Sequence, residues 1–86
     1  MKLDFIISYD IIDEKRLKKI SKYLEKEAFR VQLSVYYIRC NKLKLTHIVN
    51  NLLDLMDEED DIRIFKINLK KSLFLNSQED IKNFII

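Results

Sequence analysis

The 86 residues contain no glycine and no proline. Without glycine there can be no glycine-rich loop to cradle a phosphate, so P-loop and dinucleotide-binding fingerprints are excluded. Turn formation falls to Asn, Asp and Ser, which tolerate turn geometry best after glycine. Asn41, Asn50–Asn51, Asp57 to Asp61, Asn68 and Asn76–Ser77 are the candidates. A single cysteine, Cys40, excludes an intrachain disulfide and any cysteine-based zinc site. No apolar run approaches the roughly 20 residues a membrane span needs, and Asp4 interrupts the stretch where a signal peptide would lie. The expectation is one small cytoplasmic domain with no membrane partner.

What is present is globular in character, with 48% hydrophobic and 35% charged residues. A chain of this length buries only about 60–65% of its unfolded surface, so its core is marginal and a twofold partner covering an apolar face would help. The net charge is +2, but the charges are segregated. Lys15, Arg16, Lys18, Lys19, Lys22 and Lys26 stand against Glu25 alone, and acids gather in Asp57-Glu58-Glu59-Asp60-Asp61. The average hides a basic face and an acidic loop.

The chain is organised around Leu3 to Ile11, a strand whose run Phe5-Ile6-Ile7 suits a central position covered on both faces. It closes on Tyr9 and Asp10. A carboxylate at the end of a buried strand is a common place for a metal-binding or catalytic acid, and equally for an acid that caps the next turn. Asp13 is a suitable N-cap for an amphipathic helix over about 13–27, with Leu17, Ile20, Leu24 and Ala28 on its apolar face. Its other face is the lysine row, which suits a solvated surface or contact with nucleic acid.

Phe29 to Arg39 reads as strand, rich in β-branched and aromatic residues. Val31, Leu33, Val35 and Tyr37 form its apolar set, and Arg30, Gln32, Ser34 and Tyr36 its polar one. Asn41 caps a second helix over about 42–56, with His47 as a surface or edge residue. The acidic run 57–61 lacks the alternating ligands and the glycine of a calcium loop, and reads as a solvated turn. Ile62 to Ile67 is the next strand, Leu73 to Leu75 a short further one, and Phe84-Ile85-Ile86 an apolar tail. This order is α+β, a ferredoxin-like β-α-β-β-α-β core over 1–67, followed by a C-terminal strand and tail over 68–86 that pack on the core or on a dimer partner. Two strands must come from the eleven residues 29–39, which requires a short bent hairpin or bulge near Gln32–Ser34.

Tyr9-Asp10-Ile11, the basic helix opened by Asp13 to Arg16, and Arg30-Val31-Gln32-Leu33-Ser34-Val35-Tyr36 together resemble one family. It is the small CRISPR-associated endoribonuclease and spacer-acquisition family, a ferredoxin-like dimeric partner of the CRISPR integrase. The likeness covers roughly residues 1–70. It implies that Asp10 is the acid that binds Mg2+ across the dimer axis, with Tyr9 its catalytic neighbour. It further implies that Arg16 and Arg30 stand at the family's basic positions and that Ser34 and Tyr36 belong to the site motif, Tyr36 where the family often has Phe. Two departures are visible: Ala28-Phe29 replaces a glycine before Arg30, and Ile38-Arg39-Cys40 replaces a glycine after the middle strand.

One aspartate is a poor site for a hard divalent cation, which needs several oxygens, and a twofold axis beside Asp10 would double it. Arg16 and Arg30 suit bidentate phosphate contacts, and Lys18 and Lys22 complete the expected nucleic-acid contacts. No histidine or lysine stands out as a general base, so hydrolysis would lean entirely on the metal. The resemblance therefore implies a homodimeric, magnesium-dependent endonuclease acting on RNA, duplex DNA or both beside the integrase. The alternative is a structural bridge that holds spacer DNA without chemistry. A toxin-like messenger ribonuclease shares the fold and small size alone.

Overall fold

The structure, a computed structural model, describes residues 1–68. The expected strand at Leu73–Leu75 and the tail Phe84–Ile86 lie outside the described residues. The elements run β1 (Leu3–Asp10), α1 (Glu14–Glu27), β2 (Phe29–Gln32), β3 (Val35–Cys40), α2 (Lys42–Leu55) and β4 (Asp61–Ile67). They form a four-stranded sheet in the order β2-β3-β1-β4, with every neighbouring pair antiparallel. This is the expected ferredoxin-like arrangement, with the apolar β1 at its centre.

Each helix starts where the sequence supplies a side-chain acceptor. Asp13 accepts from the Arg16 amide at 2.9 Å, and Asn41 from the Lys44 amide at 2.8 Å. These bonds satisfy amide donors that the first helical turn would otherwise leave open. No described residue has a positive φ, so a chain without glycine closes its turns at no steric cost.

Alternation along β1 sends Phe5, Ile7 and Tyr9 to one side, where they meet Ile20 and Leu24 of α1 and Ile48 and Leu52 of α2 in a single core. Each fully buried Ile or Leu there contributes about 1.5–3 kcal/mol by leaving water. The helices are also joined by a hydrogen bond from Asn51 Nδ2 to the Tyr23 hydroxyl, 2.9 Å, and by an ion pair between Lys44 and Glu27.

The other side of the sheet carries no helix among the described residues. Strand register places Phe29, Tyr37, Ile6 and Phe65 in one row across all four strands. Phe29 and Phe65, at the two ends, are 71% and 51% exposed. From within this row the Tyr37 hydroxyl donates to Asp4 Oδ1 at 2.6 Å.

One expectation is corrected here. Register slips between Arg30 and Gln32, and a tight turn at Leu33–Ser34 joins β2 to β3. The pairs Phe29–Tyr37 and Arg30–Tyr36 keep each alternating set on one face across the bulge and the turn. The pairing of β3 with β1 turns the Arg30–Tyr36 face, the one with the polar set, toward the helices. Tyr36, placed on the polar face, is fully buried opposite Ile7 in the core, whereas Leu33, placed on the apolar face, is 84% exposed at the hairpin tip.

Candidate functional site

A cleft of about 320 Å³ opens where β1 ends, walled by α1 and by the β2–β3 hairpin. Tyr9, Asp10, Lys18, Arg30 and Ser34 line it, so five of the eight residues singled out from the sequence converge on one place. Strand β1 delivers Tyr9 and Asp10, the first turns of α1 deliver Lys18, and the hairpin delivers Arg30 and Ser34.

The hairpin is fixed to β1 through its turn. The Tyr9 amide donates to the Ser34 carbonyl at 3.1 Å, and the Tyr9 hydroxyl donates to the Leu33 carbonyl at 3.2 Å. Arg30 Nη2 donates to the same Leu33 carbonyl at 3.2 Å. Tyr9 is therefore buried with its polar tip engaged, and it shapes the cleft wall.

Tyr36 lies beneath that wall, outside the cleft lining. Its ring stacks on Tyr9, with centroids 6.1 Å apart, and the Arg30 guanidinium sits 5.6 Å from its centroid. That contact, with an ion pair to Glu25 at 3.4 Å, holds an exposed guanidinium at the cleft mouth. Burial pushes the Tyr36 hydroxyl up to about 12, and the buried hydroxyl has no hydrogen-bond partner among the described residues. A neutral, unpartnered phenol is a poor proton shuttle, so Tyr36 acts here as a platform for Arg30.

Asp10 is exposed, on the helix-free side of the sheet with Ile6 and Ser8. It is the last residue of β1 in the ladder to β4 and stands directly opposite Asp61. Asp61 was not singled out from the sequence, because nothing in a run of five acids says which one starts a strand. Among the described residues no group of three or more His, Cys, Asp or Glu side chains could hold a metal ion. Within one chain Asp10 and Asp61 therefore offer half of a cation site at most.

Lys18 and Lys22 are exposed one turn apart on α1. Lys18 reaches the cleft, and Lys22 extends the basic stripe away from it. Arg16 lies elsewhere. Its Nε donates to Asp60 Oδ2 at 2.8 Å and its Nη2 to Glu59 Oε1 at 2.9 Å and Asp60 Oδ1 at 3.2 Å, while Asp57 and Asp13 stand 3.6 and 3.9 Å from Nη1. The Asp60 side chain is fully buried, and the hydrogen bond from Arg16 holds its carboxyl below the usual aspartate range. The acidic run is thus more than a solvated turn: it wraps one guanidinium. A wider depression on the outside of α2, about 490 Å³, is lined by His47, which is exposed.

Residues 3–73 match the family described as CRISPR associated protein Cas2. The chain is 38% identical over 65 residues to the CRISPR-associated endoribonuclease Cas2 1 of Nitrosomonas europaea, a match covering 74% of this chain and 62% of that protein. It is 31% identical over 68 residues to the CRISPR-associated endoribonuclease Cas2 2 of Thermodesulfovibrio yellowstonii, covering 78% of this chain and 75% of that one. A chain of a solved partial Cas6-RT-Cas1–Cas2 complex is 27% identical, with a TM-score of 0.75 over 88% of this chain and 86% of its own.

Proposed function

This chain belongs to the CRISPR-associated Cas2 family, and from that premise we propose that it is a homodimeric, magnesium-dependent endoribonuclease that works in spacer acquisition beside the CRISPR integrase. Its place of work is the cytoplasm, and no helix among the described residues is long and apolar enough to cross a membrane. RNA is the first substrate and duplex DNA the second. The observation that carries the reading is the convergence of Tyr9, Asp10, Lys18, Arg30 and Ser34 on one cleft.

The dimer forms through the helix-free side of the sheet. The row Phe29-Tyr37-Ile6-Phe65 supplies its apolar centre, and a twofold axis near the end of β1 brings two Asp10 carboxylates together. The donor set suits the ion: exposed carboxylate oxygens are hard ligands of the kind magnesium takes, and the half-site in one chain is completed by the other. Bound there, magnesium supplies neutralisation of charge on the scissile phosphate and acidification of a water.

The chain's own residues do the rest. Arg30, held over Tyr36, presents its outer edge to a phosphate, and Lys18 places a second cation across the cleft. Tyr9 positions the hairpin that carries Arg30 and Ser34. Lys22 continues the track for the strand beyond the cleft.

A second reading is a structural bridge that holds DNA for the integrase without cutting it. It is favoured by one observation: among the described residues, the cleft lining includes no histidine and no second carboxylate beside Asp10 to serve as general acid or base. Cleavage of single-stranded RNA and of duplex DNA by the protein and by Asp10→Ala, with and without magnesium, separates the two. The nuclease reading requires metal-dependent cleavage that Asp10→Ala lacks. No cleavage, or equal cleavage by both, leaves the bridge.

A further inference from the structure

We propose that Arg16 is a positioning residue: it clamps the α2–β4 loop to the start of α1, fixes the Asp10–Asp61 rung between them, and makes no contact with nucleic acid. Three observations carry this. The first is donor occupancy. Nε and Nη2 donate to Asp60 and Glu59, and Nη1 faces Asp57 and Asp13. A guanidinium has five N–H groups in a fixed fork, and four carboxylates around this one leave a phosphate neither donors nor a favourable field.

The second is burial. The Arg16 side chain is 22% exposed and that of Asp60 is 0% exposed, against 44% for the Arg30 side chain at the cleft. A buried carboxylate needs its partners in place, and Asp60 uses its remaining capacity to accept from the Asp57 amide at 2.8 Å. Asp60 also donates its own amide to the Asp57 carbonyl at 3.0 Å, which closes the turn.

The third is chain position. Asp60 directly precedes Asp61, the first residue of β4, and Asp61 pairs with Asp10, the last residue of β1. Asp13, three residues beyond Asp10, caps α1 by accepting from the Arg16 amide. One residue thus ties down the chain on both sides of a rung whose two carboxylates repel each other, where the ladder would otherwise fray. The bearing on cleavage rests on the proposed nuclease reading; the clamp itself does not.

The test uses the full chain with Arg16→Gln, Asp60→Asn, which breaks the clamp from its buried side, and Lys18→Gln as the phosphate-binding control. Binding to a single-stranded RNA oligonucleotide and to a DNA duplex is measured against salt. Amide hydrogen exchange is followed at Asp57, Asp60 and Asp61. Removing one cation that neutralises a phosphate lowers the log–log salt slope by about 0.7–0.9. The clamp predicts that Lys18→Gln shows this drop and Arg16→Gln does not, while Arg16→Gln and Asp60→Asn both speed exchange at the three amides tenfold or more. Where the protein cleaves, Asp60→Asn lowers kcat and leaves KM unchanged. A flattened salt slope in Arg16→Gln, or unchanged exchange in Asp60→Asn, overturns the clamp. Absence of cleavage in the unaltered protein would overturn the nuclease reading and leave the exchange result to decide the clamp.

Discussion

Asp10 and Asp61 face each other across the last rung between β1 and β4, two exposed carboxylates on the helix-free side of the sheet. Like charges directly opposite in an antiparallel pair destabilise it. The ion pair from Arg63 to Asp61, 3.2 Å and exposed, offsets little of this. Asp61→Asn should therefore raise the Tm in metal-free buffer, and magnesium should raise the Tm of the unaltered protein more than that of Asp10→Ala. Thermal melts with and without the ion check both statements.

Tyr36 contributes a ring to the core and a hydroxyl that finds no hydrogen-bond partner among the described residues. Removing the hydroxyl alone leaves the stacking on Tyr9 and the contact under Arg30 in place. Tyr36→Phe should stabilise the protein by about 1 kcal/mol, the order of the penalty for a buried unsatisfied group, as read by urea unfolding. Tyr36→Ala should cost about 3–5 kcal/mol, because it leaves a cavity and frees Arg30.

Alkali should unfold the protein through two tyrosines. Burial pushes Tyr36 and Tyr37 up to about 12, and the hydrogen bond to Asp4 adds to the effect at Tyr37. Both hydroxyls ionise near 10 when unfolded. A folded pKa above the unfolded one means stability fully present below pH of about 10 and lost as pH rises towards the folded values near 12. Unfolding free energy followed from pH 9 to 12 should fall across that window, and Tyr37→Phe should flatten the fall.

The basic stripe of α1 should behave as a phosphate track. Charge reversal at Lys18 and Lys22 together should weaken binding to RNA and to duplex DNA and lower the log–log salt slope, by about 0.7–0.9 for each phosphate no longer neutralised. Binding measured between 50 and 200 mM salt checks this; an unchanged slope at lowered affinity would move the track elsewhere.

The elements were legible in the sequence because each carries its period and its cap. Asp13 and Asn41 mark the helix starts, and the run Phe5-Ile6-Ile7 marks the central strand. Asp10 was legible as an acid ending that strand, and Lys18 and Arg30 as cations close to it. The irregularity of the hairpin was legible from the need to make two strands out of eleven residues. Tyr36 was misplaced because it shares a face with Arg30, Gln32 and Ser34 in the sequence. Only the pairing of β3 with β1 shows that this face meets the helices, with Tyr36 opposite Ile7. The joining of Arg16 to Asp60 spans 44 positions, and five consecutive acids look alike until the fold buries one. The opposition of Asp10 and Asp61 is a matter of strand register, which depends on packing between two segments that the sequence presents separately.

In the proposed nuclease, two chains would share one magnesium ion between their Asp10 carboxylates. Titration of the purified protein with magnesium in a calorimeter, alongside sedimentation to fix the number of chains, tests it directly. The predicted result is a dimer that binds one ion per two chains and loses that binding in Asp10→Ala while remaining dimeric. One ion per chain, or binding that Asp10→Ala retains, would contradict it.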